Sequence, residues 1–165
     1  MGQSPQNFET AFPDLYRRAY SAAFTILGRR AEAEDLAQEA LARTYLRWEK
    51  VASYATPFVL RVTTNLVIDK LRRHTMARRL FTRPAADEES ADRIDLQRAL
   101  LRLPERQRNV VVLRYVCDLP ESEVAIVLGC TIGTVKTHAS RGLASLRRTL
   151  KPVQFMADQE TEKRL

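Results

Sequence analysis

The chain has 165 residues, 45% hydrophobic and 28% charged, and its 27 Lys and Arg outnumber 20 Asp and Glu for a formal net charge of +7. An apolar fraction of this size excludes disorder throughout and allows one domain or two small ones. The basic balance, with a pI near 9.8, favours a polyanionic partner, either nucleic acid or an anionic membrane, and composition alone does not separate them.

No apolar run approaches the roughly 20 residues that span a bilayer. The longest obvious one is Val110 to Leu113, and the first residues, MGQSPQNFET, lack the basic-then-apolar layout of a signal peptide. A cytoplasmic protein without membrane insertion is the expectation, and Gln6 stands where myristoylation would require Ser or Thr. Cys117 and Cys130 lie thirteen apart with no second pair and no nearby histidine cluster, so neither zinc nor a disulfide framework is expected. Both sit beside apolar residues, which favours small buried thiols. No metal, cofactor or catalytic constellation is read from the chain: His74 and His138 sit in basic stretches without partnering carboxylates or cysteines.

From Phe8 to Leu27 the residues Phe8, Phe12, Leu15, Ala19, Ala23 and Ile26 recur at a helical period, with Arg17, Arg18 and Tyr20 elsewhere on the cylinder. Gly28 ends that helix. A second begins near Ala31, with Glu32, Glu34 and Asp35 where the helix dipole favours acids, and carries Leu36, Ala40, Leu41, Tyr45 and Trp48 on one face. The opposite face is Asp35, Gln38, Glu39, Ala42 and Arg43. A loop over Lys50 to Thr56 follows, and Pro57 starts a third helix whose apolar face is Phe58, Val59, Val62, Leu66 and Ile68. It ends in the basic cluster Lys70, Arg72, Arg73 and His74, then Arg78 and Arg79. Asn65 and Asp69 share a face; by themselves they read as a solvated amide and as the partner of an intrahelical salt bridge to Arg72 or Arg73.

Periodicity fails from Met76 to Asp95, where Pro84, Ala85 and Ala86 precede the acidic run DEESAD, so the segment reads as a flexible linker between two helical domains. Leu96, Leu100 and Leu103 predict a further helix, interrupted at Pro104. The run Val110 to Val116 is β-branched enough for a strand in isolation, but its flanks are helical. The fold class is therefore all-α, two small helical domains, each with a small core of its own near the size at which burial becomes marginal.

The stretch Leu119 to Leu150 has a helix-turn-helix pattern. A short helix carries Val124, Ala125 and Leu128, Gly129 stops it, and Thr131 caps a second helix with Val135, Ala139, Leu143 and Leu146 on one stripe and Lys136, Thr137, Ser140 and Arg141 on the other. Between Glu123 and Asp158 there are five Lys or Arg and no carboxylate. Such a field suits phosphate, and Thr134, Lys136, Thr137, Ser140 and Arg141 can reach base edges if this helix enters a major groove. An antiparallel helix pair with a solvated charged face is the plainer alternative. The tail after Pro152 is polar and is expected to fray.

Two stretches resemble bacterial sigma factors of the extracytoplasmic-function group: AEDLAQEALARTY with PFVLRVTTNLVIDKLRR, and LPERQRNVVVLRYVCDLPESEVAIVLGCTIGTVKTHASRGLASLR. The resemblance implies a subunit that binds core RNA polymerase and recognises promoter DNA through two domains, without being a catalyst. It divides the chain into a region 2-like domain over 1–75, a linker over 76–95, a region 4-like helix-turn-helix over 96–151 and a tail over 152–165. It implies that Asp35, Gln38 and Glu39 contact the polymerase clamp. It further implies that the loop Ala52 to Thr56 with Asn65, Asp69, Arg72 and Arg73 engages the −10 element and traps an unstacked base, and that Thr134, Lys136, Thr137, His138, Ser140 and Arg141 read the −35 element.

Here Phe58 fits the family's aromatic, while Thr63 and Thr64 replace a small and basic pair, His138 an arginine, Gly142 an alanine and Pro120 a Ser or Thr cap. Asp87, Glu88, Glu89 and Asp92 of the linker either mimic nucleic-acid charge inside the polymerase or belong to a solvated tether. An anti-sigma factor is an implied partner. The competing reading is an autonomous dimeric helix-turn-helix regulator with an N-terminal sensing or dimerisation half.

Overall fold

Helix α1 (Phe8–Leu27) buries the stripe Leu15, Ala19, Ala22, Ala23, Ile26 and Leu27 and stops at Gly28, whose φ of 70° is the left-handed conformation and whose N–H donates to the Phe24 carbonyl at 2.8 Å. The structure, a computed structural model, describes residues 7–80 and 90–150, the side chains of 78–80 excepted. Phe12 is not part of the buried stripe: it is 43% exposed. It belongs to a second stripe at every fourth position, Phe8, Phe12, Tyr16, Tyr20 and Phe24, with successive ring centroids 5.8 to 6.3 Å apart. Four-residue spacing places side chains directly above one another, so the rings from Phe12 to Phe24 stack along the helix, with Phe8 edge-on to Phe12, and cover its flank.

Helix α2 (Arg30–Tyr45) meets α1 through Ala33, Ala37 and Ala40, all at 0% exposure, so the backbones approach closely. The predicted loop after it is helical instead. A short α3 (Trp48–Val51) and a 3-10 turn (Ala52–Tyr54) lead directly into α4 (Ala55–Leu80), which begins two residues before Pro57. Val51 and Ala55 are buried and anchor the segment, but a turn this short shows no period in sequence. Pro57 lies in the first turn of α4, where an N–H would have no intrahelical partner.

Along α4 the buried face is wider than predicted and includes Leu60, Thr63, Thr64, Val67 and Leu71. The Thr63 and Thr64 hydroxyls donate to the Val59 and Leu60 carbonyls at 2.8 Å each. Their departure from the family pattern is thus a matter of packing, because neither faces solvent.

The irregular segment is shorter at both ends than the lost periodicity implies. Helix α4 continues past the exposed Met76 to Leu80, and α5 (Ala91–Arg102) starts at a Ser90 cap whose Oγ accepts the Arg93 N–H at 3.3 Å. Thr75, Met76 and Ala77 are exposed in succession and leave no apolar stripe to detect, although the backbone stays helical. The flexibility expected of the linker, its residues Asp87, Glu88 and Glu89 and the polar tail lie outside the described residues; Asp92 is exposed in the first turn of α5.

Helix α6 (Glu105–Val111) passes into a π-helical turn (Val112–Val116), closed by Cys117 N–H donating to the Val112 carbonyl at 2.9 Å. Helix α7 (Glu121–Leu128) starts after Pro120 and ends at Gly129, φ 63°. Helix α8 (Ile132–Thr149) is capped by Thr131, whose Oγ1 accepts the Thr134 N–H at 3.1 Å. The all-α class and the two helical halves agree with expectation. Separate cores do not. One buried cluster joins Leu15, Leu41, Val59 and Leu60 to Val110, Leu113, Val124 and Val135, and the other joins Ile26, Val67 and Leu71 to Leu100, Val111, Val112 and Leu146. Each half completes the other's core, as small domains with marginal cores favour.

Gly142 is buried on α8 against α6, and a Cβ there would meet Val111 Cγ2 at 2.6 Å and the Gln107 carbonyl at 3.4 Å. Sequence reasoning counts this glycine as a loss of about 1 kcal/mol of helix propensity relative to alanine. The packing reverses the sign. Gly142→Ala is predicted to lower the melting temperature, with overpacking costing about 1–3 kcal/mol. Adding Val111→Ala should leave the double variant more stable than the sum of the single losses, as measured by thermal circular dichroism.

Candidate nucleic-acid and polymerase interfaces

The first turn of α8 is held by its own cap: the Thr131 and Thr134 hydroxyls lie 2.9 Å apart, and Thr134 is half-buried. Beyond it Lys136, Thr137, Ser140 and Arg141 form an exposed row opposite the buried Val135, Ala139, Gly142 and Leu146. Lys136 Nζ lies 3.8 Å from Glu121 of α7, and the Thr137 hydroxyl donates to the Gly133 carbonyl at 3.0 Å. Ser140 and Arg141 make no hydrogen bond or ion pair among the described residues, so both are available to an incoming ligand. A surface pair such as Lys136–Glu121 is weak and readily exchanged for phosphate.

His138 differs from the rest of the predicted set. It is half-buried, its Nδ1 is enclosed without a hydrogen-bond partner, and it lines a cavity with Arg61, Arg106, Asn109 and Cys130 instead of joining the exposed row.

On α4, Asn65, Asp69, Arg72 and Arg73 are all exposed along one side. Asp69 Oδ1 lies 3.6 Å from Arg72 Nη1, and Arg73 Nε donates to the Asp69 carbonyl at 3.3 Å, the local pairing the residues suggest by themselves. Asn65 instead borders a groove of about 470 Å³ with Arg43, Leu46, Arg47, Phe58, Arg61 and Val62. Leu46 is 81% exposed there. Three guanidinium groups around an aromatic ring and an amide make a surface for a phosphate chain with a stacked base. Arg43, Arg47 and Arg61 were missed as a group in the sequence because they come from α2, the turn before α3 and α4 and have no shared spacing.

On α2, Asp35, Gln38 and Glu39 are exposed together. Glu39 accepts a hydrogen bond from Arg43 Nε at 2.7 Å, which ties this face to the edge of the groove. Asp35 and Gln38 have no bonded partner among the described residues.

Two groups serve the scaffold, the buried Arg108 and Cys117; both cysteines, expected as buried thiols, are only half-buried. Arg108, 4% exposed, donates from Nε to the Leu100 carbonyl at 3.0 Å and from Nη2 to the Leu103 carbonyl at 2.8 Å, closing the end of α5. Burial lowers its pKa from the ordinary arginine value, with Arg72 adding to the effect. Burial likewise pushes the Cys117 thiol up to about 12, against a small opposing hydrogen bond with Thr64. Cys130 is also a free thiol and is part of the His138 cavity. Among the described residues no cluster of His, Cys, Asp and Glu could hold a metal ion, and no helix is long and apolar enough to cross a membrane.

A capped, basic helix-turn-helix joined to a second helical half with an arginine-rich groove defines a protein of the nucleic-acid-binding, transcriptional class. Residues 12–80 match sigma-70 region 2 and residues 93–146 match sigma-70 region 4. The chain is 30% identical over 161 residues to the ECF RNA polymerase sigma factor SigW of Bacillus subtilis, covering 84% of this chain and 86% of that protein. It is 39% identical over 132 residues to the RNA polymerase sigma-E factor of Streptomyces antibioticus, covering 73% and 71%. In fold it is similar to the sigma factor RpoE solved in complex with the anti-sigma factor NepR from Bartonella quintana, with a TM-score of 0.59 and 21% identity over 89% of this chain and 98% of that one. The chain belongs to the sigma-70 family, in its extracytoplasmic-function group, a family of regulatory proteins.

Removing the Arg108 guanidinium strands two carbonyls at the end of α5. Arg108→Met is predicted to cost on the order of 3 kcal/mol, since hydrogen bonds from a charged donor are worth about 1.5–3 kcal/mol each. Urea unfolding measures the loss. Cys117 should resist iodoacetamide at pH 8 in the folded protein and react once urea unfolds it, because only the thiolate attacks and burial holds the thiol protonated. Peptide mass mapping reads the difference.

Proposed function

We propose that this protein is an alternative sigma factor that binds core RNA polymerase and directs it to specific promoters for transcription initiation, acting in the cytoplasm as a binding subunit and not as an enzyme. The observation that carries the reading is the presence on one chain, in order, of a region 2 half with an arginine-lined groove and a region 4 half with an exposed polar recognition helix. The autonomous-regulator reading is set aside, because residues 12–80, the half it assigns to sensing or dimerisation, match sigma-70 region 2.

The working division is a polymerase- and −10-binding domain over 1–75, a linker over 76–95 and a −35-binding domain over 96–151. Asp35, Gln38 and Glu39 bind the polymerase. Asn65 reads the edge of a base drawn out of the −10 duplex, beside the turn Ala52 to Tyr54, and Phe58 offers it a ring to stack on. Arg72 and Arg73, with Asp69 orienting Arg72, neutralise the adjoining phosphates. Lys136, Thr137, Ser140 and Arg141 enter the −35 major groove, with Thr134 at the helix start and His138 at the margin. Arg141 is assigned the guanine contact, where a guanidinium pairs with two acceptors at once. An anti-sigma factor completes the partner set, by analogy with the RpoE–NepR complex.

Run-off transcription with purified core polymerase tests the reading: the protein should yield promoter-dependent transcripts absent with core alone, and no transcript on any enriched promoter would overturn it. Arg141→Ala is expected to reduce discrimination at one −35 base pair by roughly 1–3 kcal/mol in competition with position-varied duplexes. Gln38→Ala with Glu39→Ala should weaken binding to core polymerase while leaving −35 discrimination and folding unchanged, since the exposed Glu39–Arg43 pair is worth at most about 1 kcal/mol.

A further inference from the structure

Arg61 of α4 reaches the seam between the two halves, where its Nη1 donates to the Val127 carbonyl at 2.7 Å, one of the carbonyls that the end of α7 leaves without an intrahelical donor. That bond fixes the guanidinium beside a cavity of about 200 Å³, to which α6 brings Arg106 and Asn109 and α8 brings His138. Val110, Leu128 and the small thiol Cys130 supply the apolar wall. The polar groups of this cavity are largely unused by the protein. A guanidinium carries five N–H donors, and Arg61 commits one of them to Val127. Arg106 and Asn109 make no hydrogen bond or ion pair among the described residues. His138 Nδ1 is enclosed without a partner. An enclosed polar nitrogen left in that state is unfavourable, so a ligand that answers it binds with a gain.

The sign of the cavity is that of an anion site. Arg61 and Arg106 are cationic, and an imidazole Nδ1–H donates beside them. Glu105 is the carboxylate on the wall, but it is exposed and sits in the first turn of α6, where the helix start favours it. Glu105 and Arg106 are adjacent in a helix and do not face each other, so neither neutralises the other. Size narrows the ligand further. A water takes about 30 Å³ of the liquid, so the cavity admits an ion of about five heavy atoms with a few waters. Pockets for drug-sized ligands run from about 300 to 1,000 Å³, so this one is too small to enclose a nucleotide.

We propose that this cavity is a binding site for a small oxyanion, either inorganic phosphate or the terminal phosphate of a small monoester. Arg61, Arg106 and His138 Nδ1 hold the ion and Asn109 adds a neutral donor, so that it ties α4 to α6 and α8 through charge-assisted hydrogen bonds. His138 is half-buried while Lys136, Thr137, Ser140 and Arg141 are exposed, so the site is distinct from the exposed row of α8. The inference stands independently of the promoter reading.

The test titrates the full chain with inorganic phosphate and with glycerol phosphate by isothermal calorimetry, in chloride buffer at fixed ionic strength. One ion should bind per chain. Arg106→Gln, at an exposed position where folding is retained, should weaken binding about tenfold, the scale of one charge-assisted hydrogen bond, and His138→Phe about fivefold, the scale of a neutral one. Arg98→Gln removes the same charge from an exposed position on α5 outside the cavity and should leave the affinity unchanged. In protein with isotope-labelled histidine, the His138 Nδ1 signal, identified by its loss in His138→Phe, should move on addition of the anion while that of His74 stays in place. Binding of only one of the two anions identifies the source and supports the site. No saturable binding of either anion, an equal loss in Arg98→Gln and Arg106→Gln, or a His138 signal unmoved at saturation would overturn it.

Discussion

Four consecutive residues, Val110 to Leu113, are each 3% exposed or less. A helix can bury four residues in a row only if it is surrounded, because consecutive side chains point around the whole cylinder. Val110 and Leu113 enter one buried cluster and Val111 and Val112 the other, so this single turn is the place where the N-terminal helices, α7 and α8 meet. Each of these side chains contributes roughly 1.5–3 kcal/mol of burial, part of it against α7 and α8 and part against the N-terminal helices. The π-helical turn from Val112 follows from the same crowding, since a wider turn redirects the chain toward Leu119 without exposing Leu113.

A second constraint recurs at helix ends. The carbonyls closing α1, α5 and α7 are satisfied by Gln97, Arg108 and Arg61 respectively, each a side chain from another element. This is how short helices tolerate burial of their polar ends. It also assigns arginines to opposite duties in a basic protein. Arg108 is desolvated scaffold, Arg141 is exposed and without a protein partner, and Arg61 belongs to both settings. Net charge counts the three equally, and function does not.

The recognition helix shows the same division at finer scale. Its exposed row projects away from α6 because Gly142 lets the two backbones approach, leaving Lys136, Thr137, Ser140 and Arg141 on the far side. His138 turns toward the seam, one position round the cylinder from the row it was grouped with.

What the sequence by itself determined is local and periodic. The helices, the stops at Gly28 and Gly129, the Thr131 cap and the exposed row of α8 follow from spacing and cap chemistry that act within a few residues. The two motif stretches carried the family in the same way. The turn from Trp48 to Tyr54 and the continuation of α4 past Met76 were not legible, because one is too short for a period and the other passes through the exposed run Thr75 to Ala77. Tertiary structure alone decided that the cores are shared, that Gly142 is a close contact, that Thr63 and Thr64 face inward and that Arg61 reaches Val127 across 66 positions. A polar side chain's partner at that distance is set by how the helices pack, and no spacing along the chain encodes it.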